Sequence, residues 1–289
     1  MAIFTASAER SAIVPSAAFS APNILIFDSG LGGLSVFRAI HRLRPDAHYS
    51  YAADDAAFPY GGLSEPVLTA RVCEVMDALV AKLRPDLVVI ACNTASTLAL
   101  PALRARHAVP FVGTVPAIKP ACAGSVSKRV SVLATPGTVR RDYTASLIRQ
   151  FASNCKVSLV PSETLAGFAE SILQGARVDD ADLAAEIAPC FVSDTDGRTD
   201  TVVLACTHYP LILDRLERLA PWPVSWVDPA PAIARRVVSL IGSEAAAGSA
   251  PVRVFSTAAP LDGLLLGRIL QRPVETPELL CDTRLAVAS

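Results

Sequence analysis

The sequence predicts an α/β protein built from two pseudo-symmetric halves with parallel sheets, and three observations carry that prediction. Short apolar runs alternate with amphipathic stretches. The runs are continuous rather than alternating, as strands covered on both faces should be. One strand-plus-loop pattern also occurs twice, 114 residues apart, as DLVVIACNTAS (Asp86–Ser96) and DTVVLACTHYP (Asp200–Pro210).

The strands are expected at Asn23–Asp28, His48–Ala53, Asp86–Cys92, Arg129–Thr135, Lys156–Pro161 and Asp200–Cys206. Between them, apolar residues recur at helical spacing: Leu34, Phe37, Ile40 and Leu43; Val72, Val75, Leu79 and Leu83; Ile212, Leu216 and Leu219. Strand–helix alternation of this kind means βαβ units. In both copies of the repeat the strand ends on a cysteine, followed by a polar pair and then a helical pattern, so the two halves should face each other. The proline-rich stretch at Thr114–Pro120 and DPAPAI (Asp228–Ile233) read as the crossovers between them. The resulting division is an N-terminal extension over 1–22, expected to be flexible, a first α/β domain over 23–115 plus 228–289, and a second over 116–227. SDTDGRTD (Ser193–Asp200) and EAAAGSA (Glu244–Ala250) read as loops.

Composition narrows the function. Of 289 residues, 52% are hydrophobic and 18% charged, enough apolar material for sizeable cores. A net charge of −1 supplies no basic field for nucleic acid, and no apolar run reaches membrane-spanning length. Seven cysteines with no CxxC spacing argue against a disulfide framework or zinc knuckle and for a reducing cytoplasm.

In parallel sheets, ligands bind beyond the carboxyl ends of the strands. Four such ends carry polar or glycine-rich residues: Asp28–Gly33, Cys92–Thr94, Thr135–Thr138 and Cys206–His208. The glycine turn matches G-x-G, but Ser35 stands at the third glycine position, and Asp28 would repel a pyrophosphate. A zwitterion suits it better, with its carboxylate on backbone donors and its ammonium on Asp28. Most cysteines on apolar elements are small buried hydrophobes, the reading taken for Cys73, Cys122, Cys155, Cys190 and Cys281. Cys92 and Cys206 differ, because a thiol at a helix N-terminus has its thiolate favoured by the dipole. Asn93 or Thr94 is expected to cap one helix, and Thr207 or His208 the other. Two matched thiols facing one substrate from opposite sides form the geometry that inverts a carbon stereocentre, one removing a proton and the other donating one. His208 is a plausible acid/base partner of Cys206. In FPYGG (Phe58–Gly62), Tyr60 and Gly61 can offer a hydroxyl and an N–H to a ligand carboxylate. A Cys/His hydrolase would leave Cys92 idle, zinc on these residues has weak support, and a two-domain amino-acid-binding protein would not need paired thiols.

FDSGLGGLSV, DDAAFPYG, ACNTAS, GTVPAIKPA, LATPGTVRRDYT and LACTHYPLI, in order from about Asn23 to Ala230, together resemble the glutamate racemases of the aspartate/glutamate racemase superfamily. The resemblance implies two α/β domains with the active site in the cleft between them. It implies a cofactor-independent, metal-free racemisation of glutamate that feeds peptidoglycan synthesis in a bacterial cytoplasm, and a homodimer is expected. By motif position, Cys92 would deprotonate D-glutamate and Cys206 L-glutamate, with Asp28 and His208 assisting. Substrate contacts would come from Asp28, Ser29, Tyr60, Gly61, Asn93, Thr94, Thr207 and His208. Glu163 stands near an acidic position of the family. A racemase for another amino acid, such as aspartate, would share the thiols and differ in side-chain recognition.

Overall fold

The computed structural model describes residues 21–195, 197–242 and 250–280. The N-terminal extension is therefore largely outside the described residues, as are Cys281 and nearly all of the Glu244–Ala250 segment. The chain begins β1 (Asn23–Asp28), α1 (Leu34–Leu43), β2 (His48–Ala53), α2 (Glu65–Leu83), β3 (Leu87–Ile90), α3 (Asn93–Arg106) and β4 (Phe111–Gly113). After Gly113 it passes to a second sheet: α4 (Ile118–Gly124), β5 (Arg129–Ala134), α5 (Pro136–Val139), α6 (Asp142–Phe151), β6 (Lys156–Pro161), α7 (Leu165–Leu173) and α8 (Asp180–Ile187). This part closes with β7 (Ser193–Asp194), β8 (Gly197–Arg198), β9 (Thr201–Ala205), α9 (Leu213–Leu219) and β10 (Ser225–Val227). The return adds α10 (Ala230–Ile241), β11 (Arg253–Ser256), α11 (Gly263–Leu270) and β12 (Glu278–Leu279).

The six-stranded sheet has the order β12-β11-β2-β1-β3-β4, and the four-stranded sheet β10-β9-β5-β6. Every pairing within these sheets is parallel. Read from β6, the second sheet repeats the first: β6-β5-β9-β10 matches β2-β1-β3-β4, so β3 and β9, the two copies of the sequence repeat, occupy equivalent positions. The shared aspartate has a local cause. Asp86 accepts the N–H of Asn23 at the start of β1. Asp200 accepts the N–H groups of Val126 and Ser127, just ahead of β5. Each carboxylate satisfies backbone donors where the neighbouring strand begins.

Strand burial follows the predicted pattern in β1, β3, β5 and β9, whereas β6, at the edge of its sheet, is mostly half-buried or exposed. Ile24 and Ile26 face one cluster with α1 and α10, while Leu25 and Phe27 face another with α2 and α3. The second sheet divides in the same way between a cluster with α7 and α8 and one with α4 and α6. At about 1.5–3 kcal/mol per buried Leu, Ile or Phe, these double-sided cores hold both sheets rigid and fix where the strand ends point. On α1 the apolar face ends early: Leu34, Phe37 and Ile40 are buried, but Leu43 is exposed at the final residue of the helix. The segment read as a polar loop at Ser193–Asp200 contains a short antiparallel hairpin, β7 with β8. No described helix is long and apolar enough to cross a membrane.

The halves touch along the carboxyl ends of their strands, and the glycine turn is one of the tight contacts between them. A Cβ on Gly32 would stand 2.4 Å from His208 Nδ1 and 2.5 Å from Thr207 Oγ1. Ser35 fastens the same contact, its hydroxyl donating to the carbonyls of Gly32 and Thr207 at 2.9 Å each. The space that a dinucleotide pyrophosphate would need is filled by the opposite half. Gly32→Ala is therefore expected to cost about 1–3 kcal/mol of stability from overpacking and to lower activity together with the melting temperature, measured by thermal unfolding and initial rates.

Candidate active site

Ser29, Tyr60, Gly61, Cys92, Asn93, Thr94, Cys206, Thr207 and His208 line one cavity, with Phe58, Pro59, Thr135, Ala166 and Ala205 completing the wall. Asp28 lies directly behind them, fully buried. The catalytic and substrate-contact residues expected from the sequence thus converge, from four strand ends in two sheets. The cavity encloses about 20 Å³, room for roughly one water, so it is closed to anything larger in this structure. Across the outer mouth, Arg141 of the second half forms an ion pair with Glu65 at the start of α2.

Cys92 and Cys206 occupy the equivalent points of the two halves, one residue beyond β9 for Cys206 and two beyond β3 for Cys92. Cys92 holds the N-cap position of α3, and neither Asn93 nor Thr94 caps that helix as expected. Nor does Cys206 stand at an α-helix: a 3₁₀ turn, Tyr209–Ile212, follows it, and His208 at its N-cap makes no side-chain cap bond. The expected lowering of the thiol pKa is also reversed at Cys92. Burial, then the nearby Asp28 carboxylate, push the Cys92 thiol up to about 12, and the Ala95 amide and Ser29 only partly offset them. Desolvation of the charged form outweighs a helix N-terminus when the sulfur is fully enclosed.

Cys206 has a cation beside it. Its sulfur lies 3.8 Å from His208 Nδ1, and His208 Nε2 lies 2.6 Å from Glu170 Oε2. Burial alone would lower the imidazole, but hydrogen bonds to Cys206 and Glu170, with the charges of Cys206 and Asp28, raise His208 to about 10. The imidazolium is the charge that stabilises a thiolate. Asp28 is pushed up to about 6 by burial, against His208, the Gly30 N–H and the Thr207 hydroxyl. Its Oδ2 accepts from Thr207 Oγ1 at 3.0 Å, which joins the two halves.

Two expectations about the donors do not hold. The turn's N–H groups are already used: Gly30 donates to Asp28 at 3.0 Å and Leu31 to Glu170 at 3.0 Å. The Tyr60 hydroxyl is likewise engaged, donating to Asp54 at 2.6 Å, where Arg71 also binds the carboxylate. Asn93 supplies what they do not. Its amide is buried, and neither Nδ2 nor Oδ1 has a hydrogen-bond partner. An unpaired buried polar group costs about 1–3 kcal/mol, a penalty that a polar ligand in the cavity would relieve. Beside it the hydroxyls of Thr94, Thr135 and Thr138 form a cluster, with 3.1 Å between Thr94 and Thr135.

Glu170 is the site residue that sequence reasoning missed. It lies inside α7, bonded to His208 and to the glycine turn, whereas Glu163 is exposed on the outer groove beside Arg140 and Arg141. Among the described residues, no group of three or more His, Cys, Asp or Glu side chains has a metal-holding arrangement.

Two facing parallel sheets, with a thiol at the same strand end of each, define a class of enzyme, and comparison with known proteins agrees. The sequence profile described as Asp/Glu/Hydantoin racemase matches residues 31–237. A glutamate racemase of Brucella anthropi is 56% identical over 229 residues, 79% of this chain and 82% of that protein. One from Brucella canis is 55% identical over 219 residues, 75% of this chain and 79% of the relative. Among solved structures, Escherichia coli glutamate racemase, in complex with L-glutamate and the activator UDP-MurNAc-Ala, superimposes with a TM-score of 0.81 at 41% identity, covering 90% of this chain and 98% of its own. The Thermus thermophilus enzyme, in complex with β-chloro-D-alanine, gives 0.69 at 26% identity, covering 92% and 98%. The chain belongs to the Asp/Glu/hydantoin racemase family; within that family it groups with the glutamate racemases.

Proposed function

We propose that the protein interconverts L- and D-glutamate by two-thiol acid/base catalysis without a cofactor. The observation that carries this reading is the pair of equivalent thiols, Cys92 and Cys206, entering one cavity from opposite halves. Their surroundings support a division of labour in the free enzyme. Burial pushes the Cys92 thiol up, while the His208 imidazolium lies beside the Cys206 sulfur at 3.8 Å. In the L-to-D direction the Cys206 thiolate removes the α-proton, the electron pair moves into the α-carboxylate, and the Cys92 thiol delivers a proton to the opposite face. D-Glutamate leaves behind a Cys206 thiol and a Cys92 thiolate, which is the state that accepts D-glutamate. Asp28 receives the substrate ammonium, and Thr207 and Ser29 lie beside the reacting centre. Asn93, Thr94 and the Tyr60–Gly61 backbone hold the carboxylates. Hydrogen-bond donors preset around an enclosed cavity stabilise the developing carbanion.

The wider reading includes D-glutamate supply for peptidoglycan synthesis in the cytoplasm, a homodimer, and folding units at 23–115 plus 228–289 and at 116–227. Incubating the purified protein with L-glutamate, and separately with L-aspartate, tests the activity and its substrate by polarimetry. Rotation is expected to decay to zero with glutamate only; decay with aspartate, or with neither, would overturn the assignment.

The pH dependence has a defined sign. With Asp28 raised from 3.8 to about 6, the carboxyl is half protonated near pH 6, and only its ionised form meets an ammonium. The acid limb of kcat/KM, which reports the free enzyme, is therefore expected near pH 6, with activity falling as pH drops through it. In Asp28→Asn that limb should disappear along with most of the activity.

A further inference from the structure

On the second sheet, away from the cleft, two thiols that the proposed chemistry does not use stand together. Cys122 is buried in α4. Cys155 is partly exposed in the turn between α6 and β6. Cys155 Sγ donates to the Cys122 carbonyl oxygen at 3.5 Å, which sets its sulfur against the Cys122 backbone. Lys128, in a left-handed conformation in the turn before β5, donates from Nζ to the same carbonyl at 3.2 Å, bringing an ammonium to the pair.

We propose that Cys122 and Cys155 form an oxidation site that closes to a disulfide when the protein meets peroxide, with Cys155 attacked first. Cys155 is the reachable sulfur; Cys122 is shielded by the cluster of α4, α6 and the second sheet. The electron balance is complete with peroxide as the oxidant. The Cys155 thiolate attacks one peroxide oxygen, the O–O bond breaks, and Cys155 becomes a sulfenic acid while hydroxide leaves. The Cys122 sulfur then displaces the sulfenic hydroxyl as water, forming the S–S bond. Two thiols are oxidised to one disulfide, and one peroxide is reduced to two waters. Burial pushes the Cys122 thiol up to about 12, and the Lys128 ammonium offsets part of that. The bond would tie the last turn of α4 to the turn before β6, residues 33 apart in sequence. A loop of that length, closed covalently, restricts the unfolded chain and raises the melting temperature by roughly 5–10 °C.

The test treats the purified full chain with hydrogen peroxide and maps its peptides without reduction, beside a Cys155→Ser variant. A crosslinked peptide pair carrying Cys122 and Cys155 is expected, with a rise in melting temperature that dithiothreitol reverses. Both should be absent from Cys155→Ser, whose racemisation without peroxide should match that of the parent. Peptide mapping rather than activity is the readout, because peroxide also reaches the cleft thiols. The inference is overturned if both sulfurs remain free while other cysteines oxidise, if Cys155 goes to sulfinic acid with Cys122 free, or if Cys155→Ser stabilises equally on oxidation.

Discussion

Cys92→Ser and Cys206→Ser should each lower racemisation by roughly 10²–10⁴-fold, the range for losing a positioned acid/base group. Serine keeps the shape of the side chain but is a far weaker acid than a thiol, so it neither gives nor takes the α-proton effectively. In a non-chiral solvent the two enantiomers have equal free energy, so kcat/KM must fall by the same factor in both directions whichever thiol is removed. The variants should differ in partial reactions. Cys92→Ser keeps the Cys206–His208 pair, and with it slow exchange of the α-proton of L-glutamate. Cys206→Ser should favour exchange of D-glutamate. Near-parental turnover in either variant would contradict a two-thiol mechanism, as would the same exchange preference in both.

Glu170→Gln is expected to have the next largest effect, a loss of about 10²-fold in kcat/KM, as for other carboxylates that orient a histidine. Glu170 touches neither thiol; it is a positioning residue that acts through His208. Its Oε2 lies 2.6 Å from Nε2 and also accepts the Leu31 N–H. Glutamine is a weaker acceptor than the carboxylate whose hydrogen bond helps raise His208 to about 10. The alkaline limb of the pH profile should therefore move to lower pH in Glu170→Gln, while Glu170→Asp restores part of the activity. A purely structural role for Glu170 would lower activity uniformly and leave the limb in place.

The reason Glu170 escapes sequence reading also explains what was legible. Cys92, Cys206 and the residues next to them follow strands whose apolar runs are visible locally, and parallel topology sends all such ends to one side. Glu170 lies mid-helix in LAGFAESIL and reaches the site only because α7 packs against the opposite half's glycine turn, a tertiary fact with no local marker. Glu163 stands closer to a strand end in sequence and faces outward in space. The occupied donor of Leu31 has the same origin, since Glu170 reaches it only after folding, whereas Asp28 takes the Gly30 N–H locally, two residues away. The thiol electrostatics were misread in sign at Cys92 because a helix start can be inferred locally, whereas complete enclosure cannot. Short strands such as β11 and β12 give little periodicity to read; β11 is defined by its register against β2, and β12 by its register against β11.

The two-thiol claim is tested most directly by starting racemisation of L-glutamate in D₂O and determining the isotope at Cα in each enantiomer at early conversion. Two opposed thiols predict D-glutamate carrying deuterium from the first turnovers while the remaining L-glutamate still carries protium. D-Glutamate that retains the substrate's own α-proton would mean that a single group lifts and returns it, which would contradict the account.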